Sequence, residues 1–312
     1  MTTIAAQRTL TIGTRASKLA LVQTEMVRTA LIAAHPDVAV AVTHITTKGD
    51  VVLDRSLKLV GGKGLFITEI EDAMRAGTID LAVHSAKDLP TELPDDMALA
   101  AFLPRIDVRD VVISRDGTPL AALQVGARIG TSSARRACQI RRLRPDATIL
   151  DLRGNVDTRI RKLREGQYDA IVLAAAGLIR LGMREEITDY LEPDVMLPAV
   201  AQGAIAIEVR ARDTAVQHYC AALNDTATWQ MVQAERAFLG TLGGGCSVPV
   251  GAYARINNDH ITLSGLIGAL DGRIVHGTAS GTAANPAAIG KRLARRLLAR
   301  GGRELLAEDR DA

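Results

Sequence analysis

The sequence predicts an α/β protein of two lobes joined by a double crossover, followed by a small α+β domain. Three observations carry that reading. Strand-length apolar runs alternate with amphipathic helical stretches, the pattern of strands linked through helices. Two segments, Pro104-Arg105 and Leu197-Pro198-Ala199-Val200-Ala201-Gln202-Gly203, suit crossings between lobes, and apolar Ala204 to Val209 can return to the first lobe's sheet. From Thr228 the pattern changes to a helix, three strands and a final helix. The expected domains are 1–104 with a return segment 203–222, then 105–202, then 223–312.

A chain of 312 residues exceeds one typical domain. Aromatics make up only 3%, so the cores must be built from Leu, Ile, Val and Ala. No apolar run approaches the roughly 20 residues of a membrane helix. Met1 to Leu10 lacks the apolar core of a signal peptide, so a cytoplasmic location without membrane attachment is expected. Three cysteines, Cys138, Cys220 and Cys246, form no C-x-x-C pair and argue against a disulfide framework. Six scattered histidines show no metal-ligand spacing, and no metal site is expected.

Charge is unevenly placed. Arg128 to Arg164 holds eleven Lys or Arg against three Asp, a surplus of eight in a chain whose net charge is +3. Such a field attracts polyanions. Nucleic acid is disfavoured because stacking aromatics are missing around these arginines. A small ligand rich in carboxylates remains.

Thr9 to Ile12 reads as a strand, Gly13 to Ser17 as a turn, and Ser17 as the N-cap of a helix to about Ala34. Leu19, Val22, Met26, Val27, Ala30 and Leu31 are its expected inner face. Val38 to Ile45 is a second strand, and Thr47 to Lys63 a long loop. Leu65 to Arg75 is helical, with Glu69, Glu71 and Asp72 outward and Gly77 as its stop. Ile79 to Val83 is a buried strand that ends at His84, Ser85, Lys87 and Asp88, and Pro90 forbids a long helix beyond. By itself Lys87–Asp88 reads more readily as an ion pair at a strand end than as a carboxylate aimed at a ligand.

Leu99 to Leu103 and Asp110 to Ser114 are strands. Arg128 to Arg136 repeats the opening design: an apolar strand end, a glycine, the hydroxyls of Thr131, Ser132 and Ser133, then a helix with Arg135 and Arg136. Thr148 to Leu152 is a strand, followed by a turn at Arg153 and a basic helix through Arg159 and Lys162. Tyr168 to Ala174 is a strand, and Arg180 closes the short helix after it. Arg15, Lys87, Arg135, Arg136, Arg153, Arg159 and Arg180 therefore recur just past strand ends. Parallel strands collect such ends on one edge, where guanidinium groups bind carboxylates. Finally, three glycines precede Cys246 in Gly243-Gly244-Gly245-Cys246-Ser247-Val248-Pro249, which lets backbone or ligand approach the sulfur. A buried cysteine beside a glycine turn fits the same residues.

Taken in order, these strings resemble the porphobilinogen deaminase (hydroxymethylbilane synthase) family over essentially the whole chain. They include Gly13-Thr14-Arg15-Ala16-Ser17-Lys18-Leu19-Ala20, Gly61-Gly62-Lys63-Gly64-Leu65-Phe66, His84-Ser85-Ala86-Lys87-Asp88-Leu89-Pro90, Gly130 to Arg136, Leu152 to Arg159 and Gly243 to Pro249. The resemblance implies two periplasmic-binding-protein-like lobes with mixed sheets and a C-terminal domain whose Cys246 holds a dipyrromethane cofactor as a thioether. It implies a transferase of heme and porphyrin biosynthesis that condenses four porphobilinogen molecules to hydroxymethylbilane and releases ammonia. It also implies a monomer without nucleic-acid partners.

By the same resemblance Asp88 is the catalytic carboxylate. Lys87, Thr131, Ser132, Ser133, Arg135 and Arg136, with Asp88, would hold the cofactor, and Arg15, Ser17, Lys63, Arg153, Arg159 and Arg180 the substrate. The family often has a lysine two residues before the Gly-Gly of the long loop. Here Leu59 stands there, and the lysine is Lys58. Two other classes compete: a two-lobed anion-binding module without catalysis, and a nucleic-acid-binding protein. The first explains the arginines but gives Asp88 and Cys246 no role, and the second predicts aromatic platforms that are missing.

The mass of the purified protein separates these classes. Cys246→Ala should lack a covalent adduct and be inactive, whereas Cys138→Ala and Cys220→Ala should keep the adduct. An adduct retained by Cys246→Ala would refute the attachment.

Overall fold

A computed structural model describes residues 8–47, 67–243 and 248–311. The chain divides into two units, 1–105 with 204–229, and 106–203 with 230–312.

In the first unit five strands form one mixed sheet, in the order β2-β1-β3-β10-β4. These are β1 (Thr9–Thr14), β2 (Ala39–His44), β3 (Leu81–Ser85), β4 (Met97–Phe102) and β10 (Ile205–Arg210). The first three are parallel, and β10 runs antiparallel between β3 and β4, so Ala204 to Val209 does return to the first sheet. One face buries Leu10, Ile12, Leu81 and Ile207 with Val27 and Leu31 of α1 (Lys18–Ala34). The other buries Ala82 and Met97 under Ile70 and Met74 of α2 (Thr68–Arg75). Gly77, at φ 71°, ends α2 as expected.

The second unit repeats the order with β7-β6-β8-β5-β9. Its strands are β5 (Asp110–Ser114), β6 (Arg128–Gly130), β7 (Thr148–Leu150), β8 (Ala170–Ala174) and β9 (Asp189–Leu191). Again three strands, β7, β6 and β8, are parallel, and the crossing strand β5 is antiparallel to β8. Val111, Ile113, Ile171 and Leu173 face one core, while Val112, Ala170 and Val172 face the other. Period-two alternation with both faces apolar is the mark of a sheet covered on both sides. The covering helices are α3 (Ala134–Leu143), α4 (Val156–Arg164) and α5 (Ala175–Arg180). Two such sheets with exchanged crossing strands make the periplasmic-binding-protein-like class that was expected.

Two helices follow β10: α6 (Thr214–Ala221), N-capped by Asp213, and α7 (Thr226–Thr241). The C-terminal part has an antiparallel sheet of β11 (Val250–Asn257), β12 (His260–Gly268) and β13 (Ile274–Thr282). Against it packs α8 (Pro286–Leu297), opened by the Asn285 cap and Pro286, and α9 (Arg303–Asp311) ends the chain.

Several expectations need correction. Met26 is not on the inner face of α1 but 39% exposed; Gln23 and Thr24 are buried instead. They can be, because Gln23 bonds Ser85 at 2.8 Å and Thr24 bonds Thr14 at 2.7 Å. Glu71 is buried rather than outward. Helices α6 and α9 and the three-residue β9 were not anticipated; their apolar patterns are too short to stand out.

The second crossing is held within its unit by polar side chains. Gln139 of α3 accepts from the Leu197 N–H at 2.7 Å, and Glu235 of α7 accepts from the Ala201 N–H at 2.6 Å and the Ala254 N–H at 2.8 Å. Gly203 has φ 92°, and a Cβ there would lie 2.6 Å from the Ile106 carbonyl oxygen. Gly203→Ala should therefore lower stability by at least about 2 kcal/mol, read as a shift in the denaturation midpoint. An unchanged midpoint would contradict this tight crossing.

Candidate functional site

In the first unit β1 and β3 are adjacent and parallel, with Gly13 opposite Ala82. Their carboxyl ends therefore open on the same edge of the sheet. Arg15 and Ser17 leave from β1. Ser17 is the N-cap of α1, accepting from the Ala20 N–H at 3.4 Å. From β3 the chain passes into a single 3-10 turn, Ala86–Asp88. Lys87 is half-buried and Asp88 exposed. The turn is fastened at its start: Ala86 N–H donates to the Ala204 carbonyl at 3.0 Å, and Ser85 exchanges hydrogen bonds with Gln23 at 2.8 and 3.1 Å.

In the second unit the parallel strands β6, β7 and β8 likewise release the chain on one edge. The Ser132 hydroxyl joins two of these exits, donating to the Leu152 carbonyl at 2.5 Å and accepting from the Leu152 N–H at 3.2 Å. Thr131 accepts from the Ser133 N–H, and Ser133 caps α3 by accepting from the Arg136 N–H. Beside them Arg153 donates to Asp151 at 2.7 Å, and Arg159 donates to the Gly154 carbonyl at 2.7 Å. Burial opposes ionisation of Asp151. The hydrogen bonds from Arg153 and Ser132 and the charges of Arg153 and Arg159 still hold it below the usual carboxylate range.

Arg135 and Arg136 are not the exposed edge charges expected from sequence; both are buried, at 5% and 6% exposure. They share Asp110, which is fully buried at the start of β5. Arg135 reaches Asp110 at 2.6 Å and the Leu197 carbonyl at 2.7 Å. Arg136 donates to Asp110 at 2.8 and 3.1 Å and to the Val172 carbonyl at 2.8 Å. Gln202 adds a bond to Asp110 at 2.9 Å. Burial pushes the Asp110 carboxyl upward, but the two guanidinium groups outweigh it and hold the group far below its ordinary value. Burial and the like charge of Arg136 lower Arg135. Two cations on one anion leave a formal surplus of one positive charge.

Arg180, at the end of α5, lacks such relief. Its guanidinium donates to the Gly203 carbonyl at 2.7 Å, and its buried Nε has no hydrogen-bond partner among the described residues. Burial alone brings it down to about 10. A desolvated cation without a carboxylate is what an anionic ligand would complete.

Sequence reasoning missed Asp110 and Asp151, the internal counter-ions of this basic set. Asp110 had a legible signal, a lone carboxylate opening an apolar strand. Lys63 and Cys246 lie outside the described residues, as does the loop from residue 48 onward. The other two thiols are fully buried, and burial pushes Cys138 up to about 11 and Cys220 up to about 12. Both are therefore protonated and poor nucleophiles near neutral pH.

Comparisons with known proteins agree with this arrangement. Residues 10–218 match the family model described as "Porphobilinogen deaminase, dipyromethane cofactor binding domain", and residues 229–299 match "Porphobilinogen deaminase, C-terminal domain". The chain is 62% identical over 301 residues to a porphobilinogen deaminase of Roseiflexus castenholzii, covering 96% of this chain and 99% of that protein. It is 48% identical over 302 residues to one from Syntrophobacter fumaroxidans, covering 96% and 98%.

The Asp110 network has a pH signature. Its folded value is depressed, so its stabilisation is present above the unfolded carboxylate value near 4 and is lost as pH falls through and below that point. Asp110→Asn should cost about 3–5 kcal/mol at neutral pH, because it leaves two buried guanidinium groups without their anion. The gap to the parent protein should narrow as pH falls below about 4. Melting temperatures measured against pH check this; a gap independent of pH would contradict it.

Proposed function

The chain belongs to the porphobilinogen deaminase family, and from that premise we infer how its own residues carry the reaction. It is a transferase of tetrapyrrole and heme biosynthesis that condenses four porphobilinogen molecules to hydroxymethylbilane with release of ammonia. The dipyrromethane cofactor, when bound, supplies the pyrrole carbon on which the new chain is started. The residues suit such a ligand: acetate and propionate groups match the surplus charge around Asp110 and the Arg180 Nε, which has no partner among the described residues.

Asp88 is the catalytic carboxylate. The observation that carries this role is its placement: an exposed carboxylate in the turn that leaves β3, fastened from behind by Ser85 and Ala86. As ammonia leaves porphobilinogen, positive charge spreads onto the pyrrole nitrogen. A fixed carboxylate at that nitrogen stabilises the charge as it develops and can pass a proton on. Lys87, Thr131, Ser132, Ser133, Arg135 and Arg136 serve the cofactor. Arg15, Ser17, Lys63, Arg153, Arg159 and Arg180 serve the carboxylates of the substrate. Guanidinium groups suit that work because they bind carboxylates in two-point fashion.

Cys246 is the attachment point. The argument is chemical: thiolate is the reactive form, and burial denies it to Cys138 and Cys220. Three domains, 1–104 with 203–222, 105–202 and 223–312, divide this labour. A monomer suffices, since all these residues lie on one chain. Free buried thiols suit the reducing cytoplasm.

Asp88→Asn keeps the shape and loses the charge, and Asp88→Glu keeps the charge and moves it by about one methylene. Loss of a preorganised electrostatic group lowers rate on the order of 10²–10³. Single-turnover ammonia release, normalised to folded protein, should fall by that factor for Asn and less for Glu. A parental rate for Asn would remove Asp88 from the chemistry.

A further inference from the structure

Behind the Asp88 turn lies a buried ionisable pair that the reaction as described does not use. His84 is the penultimate residue of β3 and is buried at 8% exposure. Its Nε2 lies 2.9 Å from Oε2 of Glu208, in the neighbouring strand β10. Glu208 is fully buried, and its Oε1 has no hydrogen-bond partner among the described residues. A second buried carboxylate is close by: the Glu71 carboxyl is raised by burial and then by the negative charge of Glu208, with Arg75 acting the other way.

This is a poor way to stabilise a sheet. A buried carboxylate with an unused oxygen and a like charge beside it is costly, and an apolar pair of similar volume is often neutral or better. Its placement suggests what it does instead. In the ladder His84 stands opposite Ala206 and Glu208 opposite Ala82, so the pair joins β3 to β10 diagonally, reaching the step just before the ladder ends at Ser85 and Ile205. One residue on, Ala86 N–H bonds the Ala204 carbonyl and the chain turns out of the sheet toward Asp88. The register of β10 with β4 also shifts between Ile207 and Glu208. Such irregularities re-aim a side chain. The exit of β3 is thus gripped on two sides, through Ser85 by Gln23 of α1 and through His84 by Glu208 of β10.

We propose that Glu208, acting through His84, is a positioning residue for the Asp88 carboxylate. The inference rests on the reading of Asp88 as the catalytic group. Glu208 fixes the ring of His84, His84 fixes the end of β3, and the end of β3 sets where the turn presents Asp88. Glu208 itself does not touch substrate.

The test uses adduct-bearing enzyme, with adduct checked by intact mass and folding by circular dichroism. Glu208→Met removes the acceptor at similar length. Its kcat should fall on the order of 10-fold to 10²-fold, as expected for a displaced catalytic group. KM for porphobilinogen should stay within about twofold, since no binding residue is altered. Glu208→Gln keeps an acceptor for His84 and should recover most of the kcat. The double variant His84→Phe/Glu208→Met leaves no buried charge in the pair. It is expected to fold even where Glu208→Met does not, and to show the same loss of kcat with unchanged KM.

A parental kcat in the double variant, whatever its melting temperature, overturns the proposal and returns the pair to a structural role. So does a Glu208→Gln enzyme as slow as Glu208→Met, which would assign the effect to charge rather than to the grip on His84. Asp88→Asn measured alongside keeps the two claims apart. If Asp88→Asn turns over normally, the reading of Asp88 fails. If it is inactive while the double variant is normal, only the positioning role fails.

Discussion

A guanidinium taken out of water needs an anion, and the second unit is organised by how that need is met. Arg135 and Arg136 meet it internally through Asp110. That carboxylate opens the strand by which the chain enters the unit, and Gln202, which also binds it, belongs to the segment by which the chain leaves. The same network therefore fixes both crossings and the first turn of α3. Arg153 is met halfway by the exposed Asp151. Among the described residues Arg180 has only a backbone carbonyl. The arginines of this unit are thus graded from ones paired deep inside the fold to one with no acidic partner among the described residues.

Parallel strands supply the second constraint. Because β1 and β3 run together in one unit and β6, β7 and β8 in the other, polar turns that are far apart in sequence leave their sheets on common edges. Four porphobilinogen molecules bring eight carboxylates to the product, so a family that builds this chain needs many cations and one well-placed anion. On the proposed reading Asp88 supplies the anion. The turn that bears it is short and fastened at its start, which limits how far an exposed carboxylate there can wander.

Much of this was legible in the sequence. The strand-turn-helix units, the return of Ala204 to Val209 to the first sheet and the basic residues past strand ends follow from local patterns: apolar runs, glycines and N-caps. What stayed hidden depends on tertiary partners. Periodicity placed Met26 inside and did not mark Gln23 and Thr24, which hydrogen bonds to Ser85 and Thr14 allow to be buried. Arg135 and Arg136 carry no local sign of burial, because their counter-ion lies 25 and 26 residues away. Glu208 sits inside an apolar strand, and its partner His84 is 124 residues distant. Pairings of that range leave no periodic trace.

The central claim is that unsaturated arginines of the second unit bind ligand carboxylates, and Arg180 tests it most directly. Its desolvation without an acidic partner among the described residues opposes the gain from its bond to the Gly203 carbonyl, so Arg180→Gln should melt near the parental temperature. Losing one charge-assisted hydrogen bond amounts to about 1.5–3 kcal/mol. The KM for porphobilinogen, measured on adduct-bearing enzyme, should therefore rise about 10-fold to 10²-fold. An unchanged KM in Arg180→Gln, with the protein destabilised, would show that this arginine serves the fold and would contradict the account.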